Sequence, residues 1–271
     1  MQTSSRSMSL RRRISSAQGG QFGTRVKAQG GDIVAAKAFS RKQALFNEKA
    51  SQYARAGVIT TPGYLRLETT APNAAQSTFA FNTLDTSGTK TATERRLKLN
   101  DTFTVTEIAF YLGTGAATSY APTAAQYSTQ VLNTWPNAQN ASFTGGTIAR
   151  DMEAIYNGYL ELRIDSTTFI DSIPMRSFYR VGTTQLGVGG GGTGYVLAQQ
   201  NEWPLANYGH IQMLPSIELN GQANIQWSIT LPNATNVGGA SGTFVNLCLV
   251  LFGFLNQGAA TVQQGLQRKL R

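Results

Sequence analysis

Residues 103–112 read Phe103-Thr104-Val105-Thr106-Glu107-Ile108-Ala109-Phe110-Tyr111-Leu112. The run is rich in β-branched and aromatic residues, and Asn100-Asp101 supplies a turn ahead of it. It predicts the strongest strand in the first half of the chain. Near the other end, Thr243 to Phe254 places Leu247, Leu249 and Leu251 on one face. That segment is apolar enough to be buried on both sides. These two runs decide the fold class, which is mainly β.

Between and before them the period-two pattern recurs. Strands are predicted at Tyr64–Glu68, Ser77–Phe81, Leu97–Leu99, Tyr159–Ile164, Thr167–Ile170, Ile211–Leu219 and Asn224–Leu231, with a weak one around Tyr127–Leu132. Asp85-Thr86-Ser87-Gly88 reads as a turn, 113–145 mainly as loop, and Arg150–Tyr156 as one or two helical turns. Residues 182–194 form a glycine-rich loop containing Gly189 to Gly192. The total is roughly nine to eleven strands. Gly63-Tyr64-Leu65-Arg66-Leu67 echoes Gly158-Tyr159-Leu160-Glu161-Leu162, and Leu97–Asp101 echoes Ile217–Gly221. Chance similarity between strands accounts for such an echo; so do two related halves of a sandwich, or two related barrels.

Working outward to the N-terminus, Thr61-Pro62-Gly63 reads as a breaker and a boundary. Ahead of it, residues 32–56 predict a helix with Asp32 as N-cap and Gly57 as stop. Ala35, Phe39, Phe46, Ala50 and Tyr53 share one face, with Lys37, Arg41, Lys49 and Arg55 mostly off that stripe and Lys42 at its edge. Such a basic amphipathic helix can dock on its own body, on a partner subunit or on an anionic membrane. Residues 1–30 are Ser/Gly/Gln/Arg-rich and lack an apolar pattern, which predicts disorder until something binds them.

Charge follows the same division. Residues 1–57 carry eleven Lys and Arg against Asp32 and Glu48, a formal +9 equal to that of the whole chain. Residues 58–267 carry nine against twelve, and Arg268, Lys269 and Arg271 return +3 at the end. A slightly acidic body therefore bears a basic arm and a short basic tail. Local potential of this kind draws phosphates without specifying a sequence. Only 14 % of the 271 residues are charged and 28 are glycine, which suits a β protein whose surface is largely covered by neighbours. No apolar core of signal-peptide length follows the basic start, and Leu247–Leu255 is far short of the ~20 residues that span a bilayer. The expectation is a protein made and assembled inside a cell.

Reactive constellations are not visible. The single cysteine, Cys248, lies in an apolar run and predicts a buried small side chain. The single histidine, His210, precedes an apolar strand and reads as structural. One Cys and one His cannot make a thiolate or imidazole zinc cluster. No G-x-S-x-G elbow or P-loop is present; Ser87-Gly88-Thr89-Lys90-Thr91 lacks the spacing. Asp85, Asp101, Glu107, Asp151, Glu153, Asp165 and Asp171 are scattered acids. Trp227 alternates with Ile225 and Ile229 and reads as core. No catalytic residue, metal ligand or cofactor is predicted. The sequons at Asn100, Asn140 and Asn233 read as accidents of an Asn/Thr-rich chain.

The arginine triplet ahead of LNDTFTVTEIAFYLG, GYLELRID, LPSIELNGQANIQWSITLP and TFVNLCLVLFGFL resembles the coat proteins of icosahedral viruses with jelly-roll subunits. In style it is most similar to those of tailless, membrane-containing bacteriophages, and the resemblance covers residues 1–256 as an architecture. It implies a disordered arm (1–30), an amphipathic helix (31–57), a jelly-roll body (58–256, one barrel or two small ones) and a basic tail (257–271). A double jelly roll is slightly favoured over a single one, because the echo and the body length permit it. The resemblance further implies a major capsid protein that self-assembles through trimeric or pentameric capsomers, alongside other capsid proteins, in the host cytoplasm. Arg11, Arg12, Arg13, Arg25, Lys27, Lys37, Arg41, Lys42 and Lys49 would then face the genome or an internal viral membrane. Two other classes remain: a vertex or spike component, and a carbohydrate-binding or hydrolytic β-sandwich.

Overall fold

A computed structural model describes residues 30–54, 56–86, 88–116, 122–136, 151–180, 185–186, 197–198, 210–238 and 243–260. The chain divides into two compact units, residues 1–45 and 46–271. The division falls inside helix α1 (Gly30–Ala54), so its last turns belong to the body. Asp32 lies within the first turn of α1 rather than before it as a cap. The positive end of a helix favours a carboxylate at either place, so capping preference alone does not separate them. At the other end Gly57 takes φ +72° and its N–H donates to the Ala54 carbonyl (3.1 Å), the predicted stop.

The body is mainly β and built from two antiparallel sheets. Its strands are β1 (Ile59–Thr70), β2 (Gln76–Asn82), β3 (Thr102–Ala116), β4 (Val131–Asn133), β5 (Tyr159–Ile164), β6 (Thr167–Pro174), β7 (Gln185–Leu186), β8 (Leu197–Ala198), β9 (Ile211–Asn220), β10 (Ile225–Thr235) and β11 (Thr243–Gln257). The larger sheet runs β1-β11-β3-β4, with β9 sharing the far side of β3: β9 pairs along Thr102–Ile108 and β4 along Leu112–Thr114. The smaller sheet runs β2-β10-β5-β6, and β7 pairs β8 separately. The two long runs that decide the fold class thus become the central strands β3 and β11, paired along their lengths.

Three sequence expectations need correction. Thr61-Pro62-Gly63 breaks nothing; it lies inside β1. Arg66 exchanges both backbone hydrogen bonds with Arg95, on the side of β1 away from β11. Backbone groups alternate along a strand, so Pro62 also faces the free edge, where its missing N–H costs no ladder bond. Leu97–Leu99 is not a strand. Leu97 makes one isolated bridge with Leu84, and the connection is otherwise held by the Arg66–Arg95 bridge and by side-chain bonds. The weak strand around Tyr127–Leu132 is a short helix α2 (Ala124–Ser128) followed by β4. The Gln126 side chain accepts the Thr123 N–H (2.7 Å) and starts that helix. Most of 182–194, including Gly189 to Gly192, lies outside the described residues.

One core cluster joins the sheets: Leu65, Leu67, Phe103, Phe110 and Leu249 from the larger meet Phe79, Phe81, Leu160, Trp227 and Ile229 from the smaller. Each fully buried side chain of this size contributes about 1.5–3 kcal/mol. Two barrels would need two cores and about sixteen strands; among the described residues there is one core cluster and eleven strands. Of the echoed segments, the first pair falls on opposite sheets, in β1 and β5, whereas Leu97–Asp101 lies in the β2–β3 connection and Ile217–Gly221 at the end of β9.

A bulge sets the phase of β3. The register with β11 shifts between Val105 and Glu107, leaving Thr106 extra, and the pairing with β9 is interrupted at the same place, where Ile217 pairs Val105 and Gln212 pairs Glu107. Phe103 and Val105 face the core, and so do Ile108, Phe110 and Leu112. Strict alternation would have put Glu107 in the core with Phe103. The bulge turns it to the outer face instead.

Candidate functional site

The predicted arm residues do not form one described site. Arg11, Arg12, Arg13, Arg25 and Lys27 lie outside the described residues. Lys37 is on α1, with its side chain not among the described ones. Arg41 is exposed and Lys42 half-buried on the same helix. Lys49 turns to the body: its Nζ lies 2.8 Å from Glu218 Oε2, and Tyr53 donates its hydroxyl to the other oxygen of Glu218. Phe46 packs its ring on Phe254 (5.3 Å), and Tyr53 is buried. The stripe positions Phe46 and Tyr53, with Lys49 beside them, thus seat the end of the helix on β9 and β11.

A cleft of about 440 Å³ opens along the free edge of β1. Its floor is apolar, with Pro62, Phe103 and Leu255. Its wall is the connection between β2 and β3, which brings Asp85, Lys90, Arg95 and Lys98 to the same place. Lys90 pairs with Asp85 at 2.8 Å. Asp85 is held below the ordinary carboxyl range, first by the hydrogen bond from Lys90 and then by the nearby charges of Lys90, Arg96 and Lys98. Asp101 accepts the Gly258 N–H at 2.9 Å. The Arg95 guanidinium lies over the Tyr64 ring, 5.3 Å from its centre. Neither Arg95 nor Lys98 makes an ion pair among the described residues, and both are exposed.

Buried charge pins the wall to the outer face of the larger sheet. Glu94 takes two bonds from Arg96 (3.2 and 2.7 Å) and one each from the Glu68 and Thr91 amides. Glu68 accepts from Arg66, Thr91, Thr93, Gln130 and Asn246. Both carboxylates are therefore satisfied, which is the condition for burying them. Cys248 sits against this network fully buried. Burial first, and the Glu68 carboxylate second, push its thiol well above the ordinary range.

A second cluster surrounds His210. Its ring stacks on Phe252 (4.8 Å, 18°), Nε2 is 3.3 Å from the Tyr111 hydroxyl, and Nδ1 is 3.6 Å from Glu107 Oε2. Burial raises the Tyr111 phenol above its usual value. The bulge at Thr106 is what aims Glu107 at this cluster.

Sequence reading missed the cleft. Arg95-Arg96 and Lys98 form a basic tract in the sequence, but one cation is buried in a pair and two face solvent, a difference set by the Arg96–Glu94 pair and the Arg66–Arg95 bridge. Comparison with protein-family models, with curated proteins and with solved structures finds no match to this chain.

Proposed function

We propose that the chain is a structural subunit that assembles side to side into a closed shell, as a viral capsid protein with a single jelly-roll body. The strand orders β1-β11-β3-β9 and β2-β10-β5-β6 support the jelly roll: β1, β2, β3 and β5 alternate between the sheets, β5 and β6 form a hairpin within one, β6, β9, β10 and β11 alternate again, and β11 returns beside β1. One core cluster among the described residues, rather than two, favours the single barrel over the double one.

The observation that carries self-assembly is where large apolar side chains meet solvent. Ile59 and Tyr64 are on β1, Val131 and Leu132 on β4, Phe169 on β6 and Leu214 on β9. All four are edge strands, and among the described residues only Leu99 lies elsewhere. Exposed apolar residues on sheet edges are a pairing hazard in a monomer, and an interface in an assembly. The low charge of the body limits repulsion between neighbours. The basic segment, carrying the whole formal charge of the chain, offsets the repulsion of packed phosphates or anionic lipid head groups on the inner side.

The test is the assembly state of edge variants by light scattering. Val131→Asp and Phe169→Asp, each at an exposed position, leave the body folded by circular dichroism and reduce the assembled mass. Assembly equal to the unmodified chain in both variants overturns edge contacts as the basis of assembly.

A further inference from the structure

We infer that the cleft between the β1 edge and the β2–β3 connection binds the phosphoryl group of a small phosphorylated molecule, through Arg95 and Lys98. The site is complete within one chain and does not rest on the shell reading.

Four observations converge there. First, charge in the cleft is unevenly matched. The Lys90 ammonium is taken by Asp85, Arg96 by Glu94, and Asp101 is held by the Gly258 amide. Arg95 and Lys98 are left with no ion pair among the described residues, two cations suited to a dianion. Second, Arg95 is oriented. Its backbone is bonded both ways to Arg66, and its guanidinium lies over the Tyr64 ring. A planar fork held on an aromatic face presents its donors in the geometry a phosphate accepts. Third, the alternation that turns Arg66 outward also turns the Tyr64 N–H toward the cleft, adding a backbone donor on the same side. Fourth, about 440 Å³ is the size of a small-molecule site, and Pro62, Phe103 and Leu255 give its polar lining an apolar part. The floor and the half-exposed Tyr64 ring offer apolar contact to the body of the ligand, whereas bare phosphate would use only the cations.

The experiment is isothermal titration of the full chain at low ionic strength with AMP, glucose 6-phosphate and inorganic phosphate, with adenosine and glucose as uncharged counterparts. The comparison protein is Arg95→Gln with Lys98→Gln, in which the N-terminal arginines are intact, so phosphate taken up by the arm cancels in the difference. Both substituted side chains are exposed, and an unchanged unfolding midpoint verifies the fold. The expected result is one site per chain for the phosphorylated probes, none for adenosine or glucose, and at least about tenfold weaker binding in the double variant. Tighter AMP or glucose 6-phosphate than inorganic phosphate assigns an organic phosphomonoester; equal affinities assign free phosphate. The inference is overturned by equal binding in the double variant, by no binding of any phosphorylated probe, or by uncharged counterparts that bind as tightly.

Discussion

Arg96 and Glu94 form an ion pair at 2.7 Å with side chains only 2 % and 0 % exposed, two positions apart in a connection that has no ladder of its own. The pair fixes the β2–β3 connection to the sheet, and with it the wall of the cleft. Removing one partner leaves a buried charge alone. Arg96→Ala is therefore expected to destabilise the body by about 3–5 kcal/mol, measured by urea unfolding. Replacing both residues with apolar side chains of similar volume costs far less. A cost for the double replacement as large as that for Arg96→Ala would contradict this account.

Gly253 faces the bulge in β3. A Cβ there would meet the Thr104 carbonyl oxygen at 1.8 Å and the Thr106 amide nitrogen at 3.3 Å. Neither backbone atom can yield without shifting two strands. Gly253→Ala is expected to lower stability by about 1–3 kcal/mol. Gly63→Ala, in the same sheet, adds a Cβ only at ordinary contact distance from Leu255 and Phe103 and is expected to have a smaller effect. Thermal unfolding of the two variants side by side checks the contrast.

The buried thiol gives a pH dependence with a definite sign. Cys248 holds its proton above the ordinary value of 9.0, because burial and Glu68 disfavour the thiolate. The unfolded chain releases that proton first as pH rises. Its contribution to stability is therefore complete below about pH 9 and is lost above it, as pH rises toward the folded value. Tyr53 and Tyr156, raised from 10.0 chiefly by burial, add to the alkaline loss at higher pH. The expected outcome is a falling unfolding midpoint above pH 9, with a later onset in Cys248→Ala. The native thiol should also resist alkylation at pH 8 until the protein unfolds.

The division inside α1 predicts two different truncations. Loss of residues 1–45 removes one compact unit and leaves the body stable. Loss of residues 1–57 also removes Phe46 and Tyr53, and costs at least the ~3–5 kcal/mol typical of deleting one large buried aromatic. Chemical denaturation of both products measures the difference.

How far the sequence revealed these features depended on the kind of residue. The strands read at 103–112 and 243–254 are the central pair because their apolar content suits burial on both faces. The helix stop at Gly57 was legible because a positive φ has few other occupants. The start of β1 was not, because Pro62 marks a breaker in an interior strand and a tolerated residue on an edge, and edges are a tertiary property. The turn of Glu107 away from the core was also hidden: a bulge changes the phase of alternation without any signature residue at Thr106. For the same reason the cleft was illegible. It depends on which of three neighbouring cations is buried against Glu94, and Glu94 is two residues from one and one residue from another.

The most direct test of shell formation is negative-stain electron microscopy of the full-length protein across a range of salt, with light scattering for mass. Closed shells are expected, or capsomers that form regular sheets, with salt shifting the balance between them. A monodisperse monomer at every salt concentration would contradict shell formation.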